Sequence, residues 1–316
     1  MQNLTLRRTK NNTTLPIHTE IRPPPPSHPP TRNKVCSFIV KFIIIAHLAL
    51  IPGTTYQYFT KADACDMLQS QYRQKSSIPP VFHVQSPSVS SALTSIETWT
   101  AIYKGPVVEY MGQEAFEDHT HVVWTDASCA LIISDSEERI KKIYSTLTET
   151  IQRLDFCRYI FLHKFGGIYH DADYTLELPI LNYVPDGVGV VESPYRYNED
   201  VQNSLMTSSV GHKFWTQVIE EVGRRKGIKG VLGRTGPKML SDSFNKAKAS
   251  DPSVTKLDCV LFQRIPHTTD SAISNILARE YITRWVPMKG CGTFGGECEI
   301  ARHYGRASWT KGSGIW

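Results

Sequence analysis

Between Ile151 and Asp173 the chain runs IQRLDFCRYIFLHKFGGIYHDAD, and few architectures accept such a passage. Ile151, Leu154, Phe161, Leu162 and Phe165 recur at helical spacing and predict a helix over Ile151–Phe165. Gly166-Gly167 closes it, a pair suited to a left-handed C-terminal cap and a tight turn. Ile168-Tyr169-His170 then predicts a short strand. A helix that turns directly into a strand calls for layers, with the helix packed on the sheet it feeds.

The same passage carries the candidate chemistry. Asp155 and Arg158 are three apart, so they share a helix face, and they fall among apolar residues. Burying either charge alone is costly, so both need partners. They could pair with each other, or point at a polar ligand at the sheet rim. At strand spacing Asp171 and Asp173 face the same way and bring two carboxylates to one point. Two such charges repel unless one takes a proton or a cation sits between them. A hard divalent ion with oxygen ligands, Mg²⁺ or Mn²⁺, suits the second solution.

Elsewhere the pattern is α/β. VFHV after Ile78-Pro79-Pro80 predicts a strand, as do Thr120–Trp124 and Val188–Glu192. Ser136–Thr150 predicts a charged helix with Ser136 as its cap. Gly211–Lys226 predicts an amphipathic helix burying Phe214, Trp215, Val218 and Ile219. Alternating strands and helices over 78–316 predict an α/β domain with a mainly parallel sheet.

The front of the chain is different. Residues 1–34 hold six Lys/Arg and one Glu, which accounts for the whole formal charge of +5, and seven of the 19 prolines. Such a segment is expected to be a disordered tail. With no net charge left in the body, nucleic acid is not an expected partner. Val35–Ile51 is apolar except for Ser37, Lys41 and His47, and it stops at Pro52-Gly53. At 1.5 Å per residue the run spans about 25 Å, at the short end for a membrane. We therefore expect a signal anchor at 35–52, the basic tail in the cytosol, a stem at 53–77 and a lumenal domain at 78–316, in the Golgi or endoplasmic reticulum. Asn3, Asn11 and Asn12 head the only glycosylation sequons, all in the tail. Beyond Cys36 six cysteines remain, an even number compatible with lumenal disulfides, and Cys291–Cys298 is the most plausible local loop.

Asp155-x-x-Arg158-Tyr159, followed by Gly166-Gly167-Ile168-Tyr169-x-Asp171-x-Asp173, resembles the DxD sugar-binding region of glycosyltransferase family 32. That family includes fungal initiating α-1,6-mannosyltransferases and inositol-phosphorylceramide mannosyltransferases. Ile78-Pro79-x-x-x-His83, Trp124-Thr125-Asp126, Asn203–Met206, Thr235-Gly236-Pro237 and His303…Ser308-Trp309 resemble further family segments, in order. Two features depart from its pattern: Val84-Gln85-Ser86-Pro87 follows His83 where an aromatic is common, and His170 stands where an apolar residue is usual.

The resemblance implies a GT-A fold, a nucleotide-sugar donor (GDP-mannose favoured over a UDP-sugar), Mn²⁺ or Mg²⁺, a glycan or glycolipid acceptor and retention of anomeric configuration. It assigns metal contact to Asp171, Asp173 and His303, and catalysis to Asp171, Asp173 and Arg158. Substrate binding would fall to Asp155, Arg158, Tyr169, His83, Asn203, Thr235, Gly236 and Trp309. No carboxylate stands out as a nucleophile, which favours attack of the acceptor from the leaving-group face. A non-catalytic anchored protein that binds sugar or nucleotide on the same fold is the alternative.

Overall fold

The protein is described by a computed structural model over residue 66 and residues 69–193, 200–262 and 299–304, all within a unit spanning 59–316. The expected tail and the apolar run at 35–52 lie outside the described residues, as do Cys291, Cys298 and Trp309. Among the described residues no helix is long and apolar enough to cross a membrane.

In chain order the first elements are β1 (Phe82–Gln85), α1 (Val89–Ser95), α2 (Glu97–Ile102), β2 (Val107–Glu109), β3 (His121–Trp124), α3 (Asp126–Ser134), α4 (Glu138–Tyr144) and α5 (Thr150–Phe165). Then follow β4 (Gly167–His170), β5 (Tyr174–Leu176), β6 (Val188–Glu192) and β7 (Val201–Ser208). The last are α6 (Lys213–Arg224), α7 (Val231–Arg234), α8 (Pro237–Lys248), β8 (Val254–Leu257), α9 (Cys259–Phe262) and β9 (Ala301–His303). Seven strands form one sheet in the order β2-β3-β1-β4-β7-β6-β8, and β5 pairs with β9 in a separate ribbon. Neighbours are parallel except where β7 inserts antiparallel between β4 and β6. The sheet is thus mainly parallel, as expected, with one long reversed strand.

Side chains alternating along each strand build two cores. Val122, Trp124, Tyr169, Val190 and Met206 pack with α3, α5, α6 and α8 on one face. Val123, Ile168, Val191 and Leu205 pack with α1, α2 and α9 on the other. Strands covered on both faces become near-continuously apolar, and β1 and β3 are buried along their whole length.

The join between α5 and β4 explains the glycine pair. A Cβ on Gly167 would lie 2.4 Å from the Val81 carbonyl oxygen, and one on Gly166 2.7 Å from that of Ser208. Both have positive φ, but Gly166 has ψ −148°, so the turn is not the expected left-handed cap. Its N–H still donates to the Leu162 carbonyl.

Other expectations shift. Ser136 caps no helix. Its hydroxyl donates back to the Ile132 carbonyl, and α4 covers only Glu138–Tyr144 before turns lead into α5. The end of the expected stem belongs to the fold: Gln74 N–H donates to the Asn182 carbonyl, and Ser77 donates to Asp186. Cys129 and Cys157 form a disulfide linking α3 to α5, a pairing that sequence spacing did not indicate.

Candidate active site

β1, β3 and β4 run parallel, so their carboxyl ends share one edge of the sheet. Ligands in open α/β sheets bind beyond that edge. Here it carries Gln85, the turn after β4, and the start of the reversed β7 with Asn203.

Asp171 and Asp173 are not strand residues. They sit in the turn after β4, with Tyr174 N–H donating to the Asp171 carbonyl and Asp171 N–H to that of Ser204. The carboxylates converge all the same, because the turn folds them together and β9 adds His303 across from Tyr174. His303 Nε2 is 3.1 Å from Asp173 Oδ1. One donor atom from each of Asp171, Asp173 and His303 lies within 4.8 Å of the others. Ligands on an octahedral ion with bonds of about 2.1 Å sit about 3 Å apart when adjacent and about 4.2 Å when opposite. The 3.1 Å between His303 and Asp173 matches adjacent ligands on such an ion, and two carboxylates with one imidazole suit Mn²⁺. Burial raises the Asp171 pKa and the like charge of Asp173 adds to this, against Arg158; a bound cation would remove that conflict.

Behind Asp171 lies a buried polar network. Arg158 Nη1 donates to Asp171 Oδ1 at 3.2 Å and to the Asn203 carbonyl at 2.9 Å. Its Nη2 donates to Gln85 Oε1 at 2.9 Å and lies 3.4 Å from Asp155 Oδ1. The guanidinium stands over the Tyr169 ring, 4.5 Å from its centroid. Burial opposes its charge, but Tyr169, Asp171 and Asp155 outweigh burial and hold its pKa above the ordinary arginine value. Tyr169 also donates its hydroxyl to Asp171 Oδ1.

Asp155 is 3% exposed and its oxygens are engaged, Oδ1 by Asn203 Nδ2 at 2.9 Å and Oδ2 by Thr235 Oγ1 at 3.0 Å. Burial pushes its pKa up to about 6, although Arg158, Thr235 and Asn203 all favour the ionised form.

These facts reassign several expected ligands. Arg158 and Asp155 are both buried, and the bonds they form all lie inside this network. Arg158 Nε, the remaining donor, is buried without a partner. Thr235 and Asn203 hold Asp155, and Tyr169 holds Asp171. Gly236 gives its N–H to the Val231 carbonyl and accepts from Leu240 N–H at the start of α8. His83 is a core residue: Trp124 Nε1 donates to its Nδ1 and its Nε2 meets the Gly166 carbonyl, which leaves no ring nitrogen for substrate. His170 is also buried, its ring stacked on Trp99 at 3.9 Å, so it replaces an apolar residue by packing as one. Gln85, absent from the expected set, belongs to the network. The available signal was an amide ending a strand that also carries Phe82 and Val84.

A second acidic group, Glu192, Asp258 and Cys259, also gathers donor atoms, but Cys259 is disulfide-bonded and offers no thiolate.

Comparison with known proteins agrees with this edge of the sheet. Residues 110–190 match the family model described as a glycosyltransferase sugar-binding region containing a DXD motif. The chain is 33% identical over 133 residues to inositol phosphoceramide mannosyltransferase 3 of Schizosaccharomyces pombe, covering 39% of this chain and 35% of that protein. It is 30% identical over 138 residues to mannosyl phosphorylinositol ceramide synthase CSH1 of Saccharomyces cerevisiae, covering 42% and 35%. Residues 110–190 are therefore a glycosyltransferase sugar-binding region of the DXD kind, as the resemblance to family 32 implied. The chain spans about a third of the length of these curated relatives. A solved structure titled PaToxG Glycosyltransferase aligns with a TM-score of 0.40 and 13% identity over 61% of this chain and 81% of that one, too distant to carry any argument.

Proposed function

We propose that the protein is a membrane-anchored, metal-dependent glycosyltransferase of the GT-A type. It would move mannose, with retention, from a nucleotide sugar to a glycolipid or glycan in the secretory lumen. The convergence of Asp171 and Asp173, inside the DXD region, with His303 from β9 at the carboxyl edge of a mainly parallel sheet carries this reading. The names of the two yeast relatives favour mannose as the sugar and inositol phosphoceramide as the acceptor, and the resemblance to family 32 makes GDP-mannose the donor to try first.

Transfer breaks the bond between the anomeric carbon and the diphosphate oxygen, joins that carbon to an acceptor hydroxyl oxygen, and passes the hydroxyl proton to the departing diphosphate. Mn²⁺ held by Asp171, Asp173 and His303 would supply positive charge to the phosphate oxygens as the bond breaks. The protein's part is to hold those ligands still. Tyr169 and Arg158 both donate to Asp171 Oδ1 and fix its rotamer. Asp155, Asn203 and Thr235 anchor Arg158 from behind. Arg158 is therefore a positioning residue in this reading, not a diphosphate clamp.

The buried Cys129–Cys157 disulfide favours an oxidising compartment, in keeping with a lumenal domain behind an anchor at 35–52 in the Golgi or endoplasmic reticulum. The test is transfer from GDP-mannose to inositol phosphoceramide by the full chain in detergent. We expect Mn²⁺-dependent product from wild type and none from Asp173→Asn. Equal turnover by the variant, or turnover indifferent to chelator, would overturn the reading.

A further inference from the structure

Gln85 ends β1, and its side chain is buried among groups of fixed polarity. An amide offers a donor at one end and an acceptor at the other, so its neighbours determine which way it faces. Gln85 Nε2 meets the Leu154 carbonyl of α5 at 2.8 Å, and a carbonyl can only accept. Oε1 must therefore point the other way. There it accepts from Arg158 Nη2 at 2.9 Å, with the Tyr169 oxygen, whose proton goes to Asp171, 3.4 Å away.

The guanidinium is planar, so fixing Nη2 against Gln85 and Asp155 also sets the direction of Nη1, which reaches Asp171. The neutrality of Gln85 matters as well. Asp155, Asp171 and Asp173 against Arg158 leave a formal charge of −2 at the site, which complements a divalent ion. A carboxylate at position 85 would add a further negative charge and draw Arg158 away from Asp171.

We propose that Gln85 is a positioning residue for the candidate cation site: by orienting the Arg158 guanidinium it fixes the Asp171 carboxylate that the cation needs. The inference rests on the proposed metal site and assigns the network behind it a control point.

The experiment is a Mn²⁺ titration of the full chain in detergent, with melting of the metal-free protein followed in parallel. Gln85→Met should weaken Mn²⁺ binding about tenfold, the usual scale for a residue that orients a metal ligand. Gln85→Asn keeps an amide but is one methylene too short to bridge Leu154 and Arg158. It should shift the Kd in the same direction, and it provides a milder variant if Gln85→Met does not fold. Arg158→Lys cannot present two coplanar nitrogens, so adding Gln85→Met to it should weaken binding no further. A purely structural Gln85 would lower the melting temperature and leave the Kd alone. Tight wild-type binding with an unchanged Kd in both Gln85 variants would overturn the positioning role while leaving the site intact. No Mn²⁺ binding by wild type would overturn the site itself.

Discussion

His303 Nε2 lies 3.1 Å from Asp173 Oδ1 across the two-stranded ribbon of β5 and β9. His303 is paired with Tyr174 in the backbone register, and the two rings stack with centroids 4.5 Å apart and planes 5° from parallel. Backbone pairing thus brings the histidine to the acidic turn, and the stack sets its ring plane. Tyr174 is itself held by Trp99, whose indole N–H donates to the Tyr174 carbonyl. A residue far along the chain completes the acidic pair through strand register, which needs no contribution from a cation.

The turn from α5 into β4 tolerates no side chain at its second glycine. Gly167 has φ +86°, and a Cβ there would sit 2.4 Å from the Val81 carbonyl and 3.1 Å from His83 Nε2. Gly167→Ala should cost about 3–4 kcal/mol of stability, combining backbone strain with displacement of β1. Urea unfolding would measure this, and a loss below about 1 kcal/mol would contradict the packing described.

The Cys129–Cys157 disulfide closes a loop with a sequence separation of 28. Loop-closure entropy for such a length is worth about 3.5 kcal/mol. Cys129→Ser with Cys157→Ser should lower stability by an amount of that order, and reductant should then have a smaller effect on the melting temperature than in wild type. Equal sensitivity to reductant would show that this bridge contributes little.

Burial lowers the His83 pKa to about 3, with the Gly166 carbonyl acting the other way, so the folded protein keeps this ring neutral. The unfolded chain takes up a proton near pH 6.5 and the native state does not. Stability therefore falls as pH drops from about 6.5 toward 3, by up to about 1.4 kcal/mol per pH unit. A non-titrating His83→Gln variant lacks this slope, so the stability gap between wild type and variant should narrow as acid is added. A gap that stays constant from pH 7 to 4 would argue that His83 is protonated or exposed.

Much of this site was legible in the sequence, for identifiable reasons. The helix Thr150–Phe165, the glycine pair and the strand after it follow from periodicity and backbone sterics, which are local. Convergence of Asp171 and Asp173 was also expected, though a turn produces it where strand alternation had been invoked. What was not legible is relational. Asp155 and Arg158 needed partners and could have paired with each other or faced a ligand; the fold sets them 3.4 Å apart and shows Asn203, Thr235 and Gln85 as further partners. His83 is a polar residue on an apolar strand, and whether it faces Trp124 or a substrate depends on a neighbouring strand. The reversed strand β7 was missed because Asn203, Ser204, Thr207 and Ser208 give it a polar composition, whereas all eight of its residues are buried.

The most direct test of the cation site is a Mn²⁺ titration of the full chain, read by metal-bound spin resonance, for wild type, Asp171→Asn with Asp173→Asn, and His303→Ala. Wild type should bind one ion, the double aspartate variant none, and His303→Ala one ion at least tenfold more weakly, with melting of the metal-free variants confirming the fold. Wild-type stoichiometry and affinity in the folded double variant would contradict the account at its centre.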